Sequence, residues 1–174
     1  MLPTHLNAYP EILLRLGLAL LAGIILGLNR WMHHKSAGIR THSLVALGAA
    51  LVMLLIGSFP GADAQAASRV LQGLITGIGF LGAGVIIHQD HSQTIHGLTT
   101  AASIWACAIL GATFGSGFYV LGVCAMLAIL LILILGGPLE QLTKTFLGIR
   151  RASEISEDTK DQTHLGQGSG LEQK

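Results

Sequence analysis

The side chains able to carry chemistry in this chain fall into three short stretches. Asn29, Arg30, Arg40, Thr41 and His42 lie close together in sequence, and two guanidiniums with neutral donors and acceptors beside them suit an anionic group or a carboxylate on a partner. Their alternative role is topological, because arginine and a neighbouring tryptophan, here Trp31, anchor helix ends at a membrane interface. Thr99, Thr100 and Ser103, followed by Trp105, open one span, with Thr99, Ser103 and the small residues near one helical face. Such hydroxyls bond within their own helix or across to a neighbour, or they form a polar patch that Gln72 or Thr76 would complete if packing brought that span alongside. His88, Asp90, His91 and His96 mix imidazole and carboxylate, the pairing that binds transition metals or senses pH. In a loop without a rigid scaffold they are weak candidates. No metal site and no cofactor is expected, and Mg²⁺ in particular prefers oxygen ligands.

Gly73, Gly77, Gly79, Gly82 and Gly84 crowd into one apolar stretch. The string Gly77-Ile78-Gly79-Phe80-Leu81-Gly82 matches a dinucleotide fingerprint, but that motif needs a strand before it and water around it, so it is read as a coincidence. Glycines at such spacing let two membrane helices approach closely. The other reading is a locally broken helix whose carbonyls line a path for an ion or solute. Glu11 and Arg15 form an i, i+4 pair that lets both charges stay near an interface.

The elements that must position these residues are membrane spans. Mean hydropathy is +0.64 and charged residues make up only 11% of the chain, against roughly 25% in soluble domains, which excludes an ordinary water-soluble fold. The stretch from Gly97 to Leu139 is uncharged and would extend about 64 Å as one helix, about twice a hydrocarbon core of about 30 Å, so it folds back at Gly115-Ser116-Gly117. Helices are predicted near Tyr9 to Leu28, Thr41 to Ser58, Arg69 to Ile87, Gly97 to Phe114 and Phe118 to Gly136, with Ser58-Phe59-Pro60-Gly61 and Gly136-Gly137-Pro138 as terminators. The expectation is an all-α membrane protein, a five-helix transmembrane bundle. Arg30, Lys35 and Arg40 in the first connection, and Lys144, Arg150 and Arg151 after the last span, place the C-terminus in the cytoplasm and the N-terminus outside. Residues 1–140 form the expected transmembrane domain. Residues 141–174 form a polar tail of disordered composition, whose Gly168-Ser169-Gly170-Leu171-Glu172 end resembles a fusion scar.

Cys107 and Cys124 lie within apolar segments, so no disulfide is expected. A net charge of +1 points to no nucleic acid and no acidic partner. No phosphate-binding Gly-x-x-x-x-Gly-Lys loop, zinc-protease histidine pair or mid-span carboxylate occurs, and the protein is expected not to be an enzyme.

Four ordered motifs carry a family resemblance: Gly27-Leu28-x-Arg30, Ala37-Gly38-Ile39-Arg40-Thr41-His42, Gly77 through Gly84, and Gly97-Leu98-Thr99-Thr100-Ala101-Ala102-Ser103-Ile104-Trp105. Together, from about Ile12 to Tyr119, they resemble the membrane domain of the MgtC/SapB family, in its short form without a soluble C-terminal domain. The resemblance implies a bacterial inner-membrane protein tied to adaptation to low magnesium and related stress, in a family associated with virulence. It further implies a modulator of membrane energetics, acting on a complex such as ATP synthase rather than carrying magnesium. The family's usual Glu is replaced by Asn29, and its Asp three residues before the arginine matched by Arg69 is replaced by Ala66, with Asp63 able to substitute after a local shift, so a Glu-Arg pair is not carried over. The leading expectation is a non-enzymatic regulator in the lipid bilayer, homo-oligomeric through small-residue faces. The alternative is a small channel or carrier for an ion or polar solute, with Thr99, Thr100, Ser103 and the glycine-rich span along its path.

Overall fold

The structure is a computed structural model that describes residues 8–59, 63–87 and 97–146. These residues form five α-helices and no strand: α1 (Ala8–Met32), α2 (Ile39–Gly57), α3 (Ala64–Ile87), α4 (Leu98–Gly115) and α5 (Tyr119–Phe146). Each is long and apolar enough to cross a membrane, as expected of a five-span chain. The last connection also follows expectation. Gly117 adopts φ +82, Phe118 N–H donates to Thr113 O at 3.1 Å and Gly117 N–H to Phe114 O at 2.9 Å, the Schellman arrangement that stops a helix with a left-handed glycine.

The chain divides into two compact units, Met1–Leu130 and Leu131–Lys174. The core of the first is built on α2, which packs against α1 and α4 along rows of small residues. A Cβ on Gly23 would lie 2.7 Å from Ser43 Cα, and one on Gly27 2.5 Å from Ile39 Cα. On the other side of α2, a Cβ on Gly111 would lie 2.8 Å from Ala46 Cα, and one on Gly115 2.6 Å from Ala50 Cα. Lipid tails are as apolar as leucine, so helices in a bilayer gain by close van der Waals contact rather than by escaping water, and only small residues permit this approach. Buried Ala19, Ala46, Ala50, Cys107 and Ala108 continue these seams. Helix α3 rests on α4 through Leu71, Leu74, Ile78 and Val85, while Phe80 on its other face is 83% exposed. The start of α5 meets the bundle where Gly122 lies beneath the Phe114 ring, leaving no room for a Cβ. In the second unit the described residues continue α5, exposed along nearly its whole length.

Several expectations change. Helix α3 is continuous through all its glycines, so the broken-helix reading does not hold. Their carbonyls are satisfied within the helical ladder, as a membrane span requires of its backbone groups. Helix α3 also starts at Ala64, earlier than Arg69, because Asp63 caps it: the Ala66 N–H donates to Asp63 Oδ1 at 2.8 Å. Helix α1 runs past Leu28 to Met32 and closes with another Schellman motif, in which His34 at φ +52 takes the place usually held by glycine. Helix α5 passes through Gly136, Gly137 and Pro138 to Phe146. The proline removes one backbone donor, a loss that membrane helices tolerate. His88, Asp90, His91 and His96, the Pro60-Gly61 turn and the tail from residue 147 lie outside the described residues.

Candidate functional site

The polar core lies where the end of α1 meets the starts of α2 and α4. Arg30, in the last turn of α1, is 5% exposed and donates from Nη2 to Thr100 Oγ1 at 2.8 Å. Beside it His42, fully buried, spans two helices. Its Nδ1 lies 3.0 Å from Gly38 O and its Nε2 3.1 Å from Ser103 Oγ. Gly38 O can only accept, so Nδ1 carries a hydrogen. In the neutral ring Nε2 is then an acceptor, and the Ser103 hydroxyl has two acceptors within reach, Nε2 and Thr100 O at 2.8 Å. One turn further along α4, the Cys107 thiol donates to His42 O at 3.2 Å. Arginine, imidazole, two hydroxyls and a thiol thus bind α1, α2 and α4 together at one end.

The structure joins the two polar groups that the sequence presents separately. Arg30 and His42 come from the first-loop set, Thr100 and Ser103 from the fourth-span set, and each pair spans more than sixty residues of chain. Gln72 and Thr76 do not complete the patch: both are exposed on α3, and Thr76 Oγ1 donates to Gln72 O of its own helix. Arg40, Thr41, Thr99 and Trp105 are exposed and Asn29 is half-buried. Of the α3 glycines, Gly82 has Ala101 Cβ at 3.6 Å, whereas Gly77, Gly79 and Gly84 have open space where a Cβ would stand. Sequence reasoning missed Cys107 and the glycines that form the tight seams. A signal was present: Ala19, Gly23 and Gly27, then His42, Ala46 and Ala50, then Ser103, Cys107, Gly111 and Gly115, each recur at every fourth position, the spacing of one helical face.

A second polar group stands at the opposite end. Arg15 donates from Nε to Glu11 Oε1 at 2.9 Å and from Nη1 to Gly115 O at 3.1 Å, while the Tyr119 hydroxyl donates to the same carboxylate oxygen. Glu11, Arg15, Ser58, Asp63 and Ser116 line part of a cleft of about 470 Å³ there. Both cysteines are free thiols; Cys107 is buried, as its apolar segment implies, but Cys124 on α5 is exposed.

Five apolar helices closed by small-residue seams, with one buried polar junction, define a multi-pass membrane protein. The chain belongs to the MgtC family, whose pattern matches residues 16–142. YhiD of Escherichia coli (strain K12) is 41% identical over 130 residues, 71% of this chain and 59% of YhiD. SrpB of Synechococcus elongatus is 46% identical over 118 residues, 62% of this chain and 65% of SrpB. SapB of Bacillus subtilis is 38% identical over 130 residues, 70% of this chain and 55% of SapB. The chain therefore spans less than two thirds of each of these relatives. No solved structure matches it.

Proposed function

We propose that the protein is a non-enzymatic modulator in the bacterial inner membrane, adjusting another membrane complex during adaptation to low magnesium or related stress. One observation carries this reading: the seams of α2 with α1 and α4 are too tight to admit a methyl group at Gly23, Gly27, Gly111 and Gly115. A solute path through that three-helix core would have to open backbone-to-backbone contacts along most of the span. The outward faces of α3 and α5 offer exposed apolar surface to lipid, to a second copy or to a target, with Phe80, Leu121 and Leu127 among their exposed side chains. A proton-driven ATP synthase is the first target to test. The relative YhiD bears the name "Putative magnesium transporter", so transport is the competing reading.

Purified full-length protein in liposomes decides between them, with Mg²⁺, H⁺, Na⁺ and K⁺ fluxes measured separately. The expected result is liposomes as tight as protein-free controls, together with restored growth of a deletion strain at low magnesium. Arg40→Ala, at an exposed position, should abolish that restoration while leaving protein levels unchanged. Saturable flux would overturn the modulator and make this a carrier.

A further inference from the structure

The junction at the start of α2 and α4 holds more positive charge than its described neighbours balance. Arg30 is buried, its Nη2 donates to a neutral hydroxyl, and its Nε is buried without a partner among the described residues. The carbonyls at the end of its own helix are engaged by other donors: Asn29 O by His33 Nδ1 at 2.7 Å, Arg30 O by Lys35 N–H at 3.1 Å and Trp31 O by His34 N–H at 3.0 Å. Burying a guanidinium without an anion is unfavourable, because the charge gives up its hydration and receives nothing equivalent.

The surroundings add to the imbalance. Thr100 stands in the first turn of α4, and Gly27, one turn before Arg30, rests on Gly38 and Ile39 at the start of α2. Arg30 is therefore held between two helix N-termini. Neither has a side-chain cap and neither has an acidic residue in its first turn. Helix α2 carries Arg40 there instead. A helix N-terminus presents unpaired N–H groups and the positive end of the helix dipole, which favour an anion and disfavour a cation. Two such ends, a buried arginine with a free N–H and an exposed arginine share one vicinity.

We propose that this junction binds a phosphate-bearing anion, held by the Arg30 guanidinium and the first-turn N–H groups of α2 and α4, with Arg40 adding attraction. Phosphate fits better than a carboxylate because donors from three elements call for several acceptor oxygens rather than two. The source is either the headgroup of an anionic phospholipid, since the spans end at a membrane interface, or free phosphate from the aqueous side. The inference does not rest on the modulator reading, because binding is measured directly on the purified protein.

The test uses the full chain in a phosphate-free maltoside detergent, with inorganic phosphate and short-chain phosphatidylglycerol titrated separately by calorimetry. Saturable binding of at least one probe is expected, weakened at least tenfold by Arg30→Gln and several-fold by Arg40→Gln. Arg69→Gln, an exposed site in the first turns of α3, should bind as the wild type does. Tighter binding of phosphatidylglycerol assigns the lipid source, and tighter binding of inorganic phosphate assigns the free anion. Arg40 is exposed, so its variant decides the matter if Arg30→Gln fails to fold. No saturable binding of either probe, or wild-type affinity in Arg40→Gln, overturns the proposal. So does an equal loss of thermal stability in Asp90→Asn and Arg30→Gln in phosphate-free protein, which would give Arg30 a counter-ion within its own chain.

Discussion

Gly111→Ala should unseat α4 from α2. The added methyl would lie 2.8 Å from both the Cα and the carbonyl carbon of Ala46, whereas carbon atoms in ordinary contact are about 3.5–4.0 Å apart. The obstacle is backbone, so no side-chain rotamer relieves it and the helices must part by roughly 1 Å. That movement also draws Ser103 away from His42, whose bond at 3.1 Å already lies near the usual limit of about 3.2 Å. Overpacking costs about 1–3 kcal/mol, and a lost hydrogen bond between membrane helices adds about 0.6 kcal/mol. Alanine returns about 0.5–1 kcal/mol through helix propensity. The expected net loss is about 1–3 kcal/mol. Gly77→Ala is the matched control: its Cβ meets nothing within 4 Å, so stability should hold or rise slightly. Unfolding of both variants by sodium dodecyl sulfate titration in mixed micelles, followed by circular dichroism, reads the difference. Equal stability of the two variants would refute the argument that the α2–α4 seam, rather than the glycine-rich α3, is the tight contact of this protein.

Gly77→Leu, on the open face of α3, should leave the protomer folded yet lower the oligomer fraction in detergent if that face joins two copies; an unchanged size distribution would remove α3 from the interface. Ser103→Ala should destabilise the fold by about 0.6 kcal/mol and by no more than about 1.7 kcal/mol, and a double-mutant cycle with His42→Ala should show that the two side chains share the effect. Additive losses would mean their bond at 3.1 Å contributes nothing. For orientation, single-cysteine variants Lys35→Cys and Ser58→Cys in a cysteine-free background should label with an impermeant maleimide from opposite faces, Lys35→Cys only after the cells are opened. The reverse pattern would invert the proposed topology.

The spans were legible because hydropathy and charge placement suffice to find helices that cross a bilayer, and Gly117 was legible as a turn because glycine readily takes its positive φ. Helix ends were less so. His34 closes α1 in a left-handed conformation that no glycine announces, and α5 continues through Pro138 because a bilayer stabilises helical hydrogen bonds that would be marginal in water. The polar junction was half legible. Arg30, His42, Thr100 and Ser103 stood out by type, but their pairing depends on how α1, α2 and α4 rotate about their axes. The small-residue rows set that rotation. The denser glycines of α3 mask them, since clustering is conspicuous in sequence whereas spacing at every fourth residue is what brings backbones together.

The placement of the polar junction follows from the same seams. Along α2, His42 begins the row that continues as Ala46 and Ala50, and the facing row on α4 begins at Ser103 and continues through Cys107 to Gly111 and Gly115. Once α2 and α4 approach to backbone contact at their far ends, space for larger polar side chains remains only where the rows carry histidine and serine in place of alanine and glycine. The junction is therefore fixed by the packing rather than added to it, and a ligand that draws on Arg30 would act on the three helices Arg30, Thr100 and His42 tie together. Helix α3 leans on α4 and turns Phe80 outward, and in the modulator we propose it is the element that would carry such an event to a neighbouring protein. The proposed modulator would need this coupling between a buried end and an outward face; a carrier would need a path, and one through the three-helix core is closed where Gly23, Gly27, Gly111 and Gly115 meet α2.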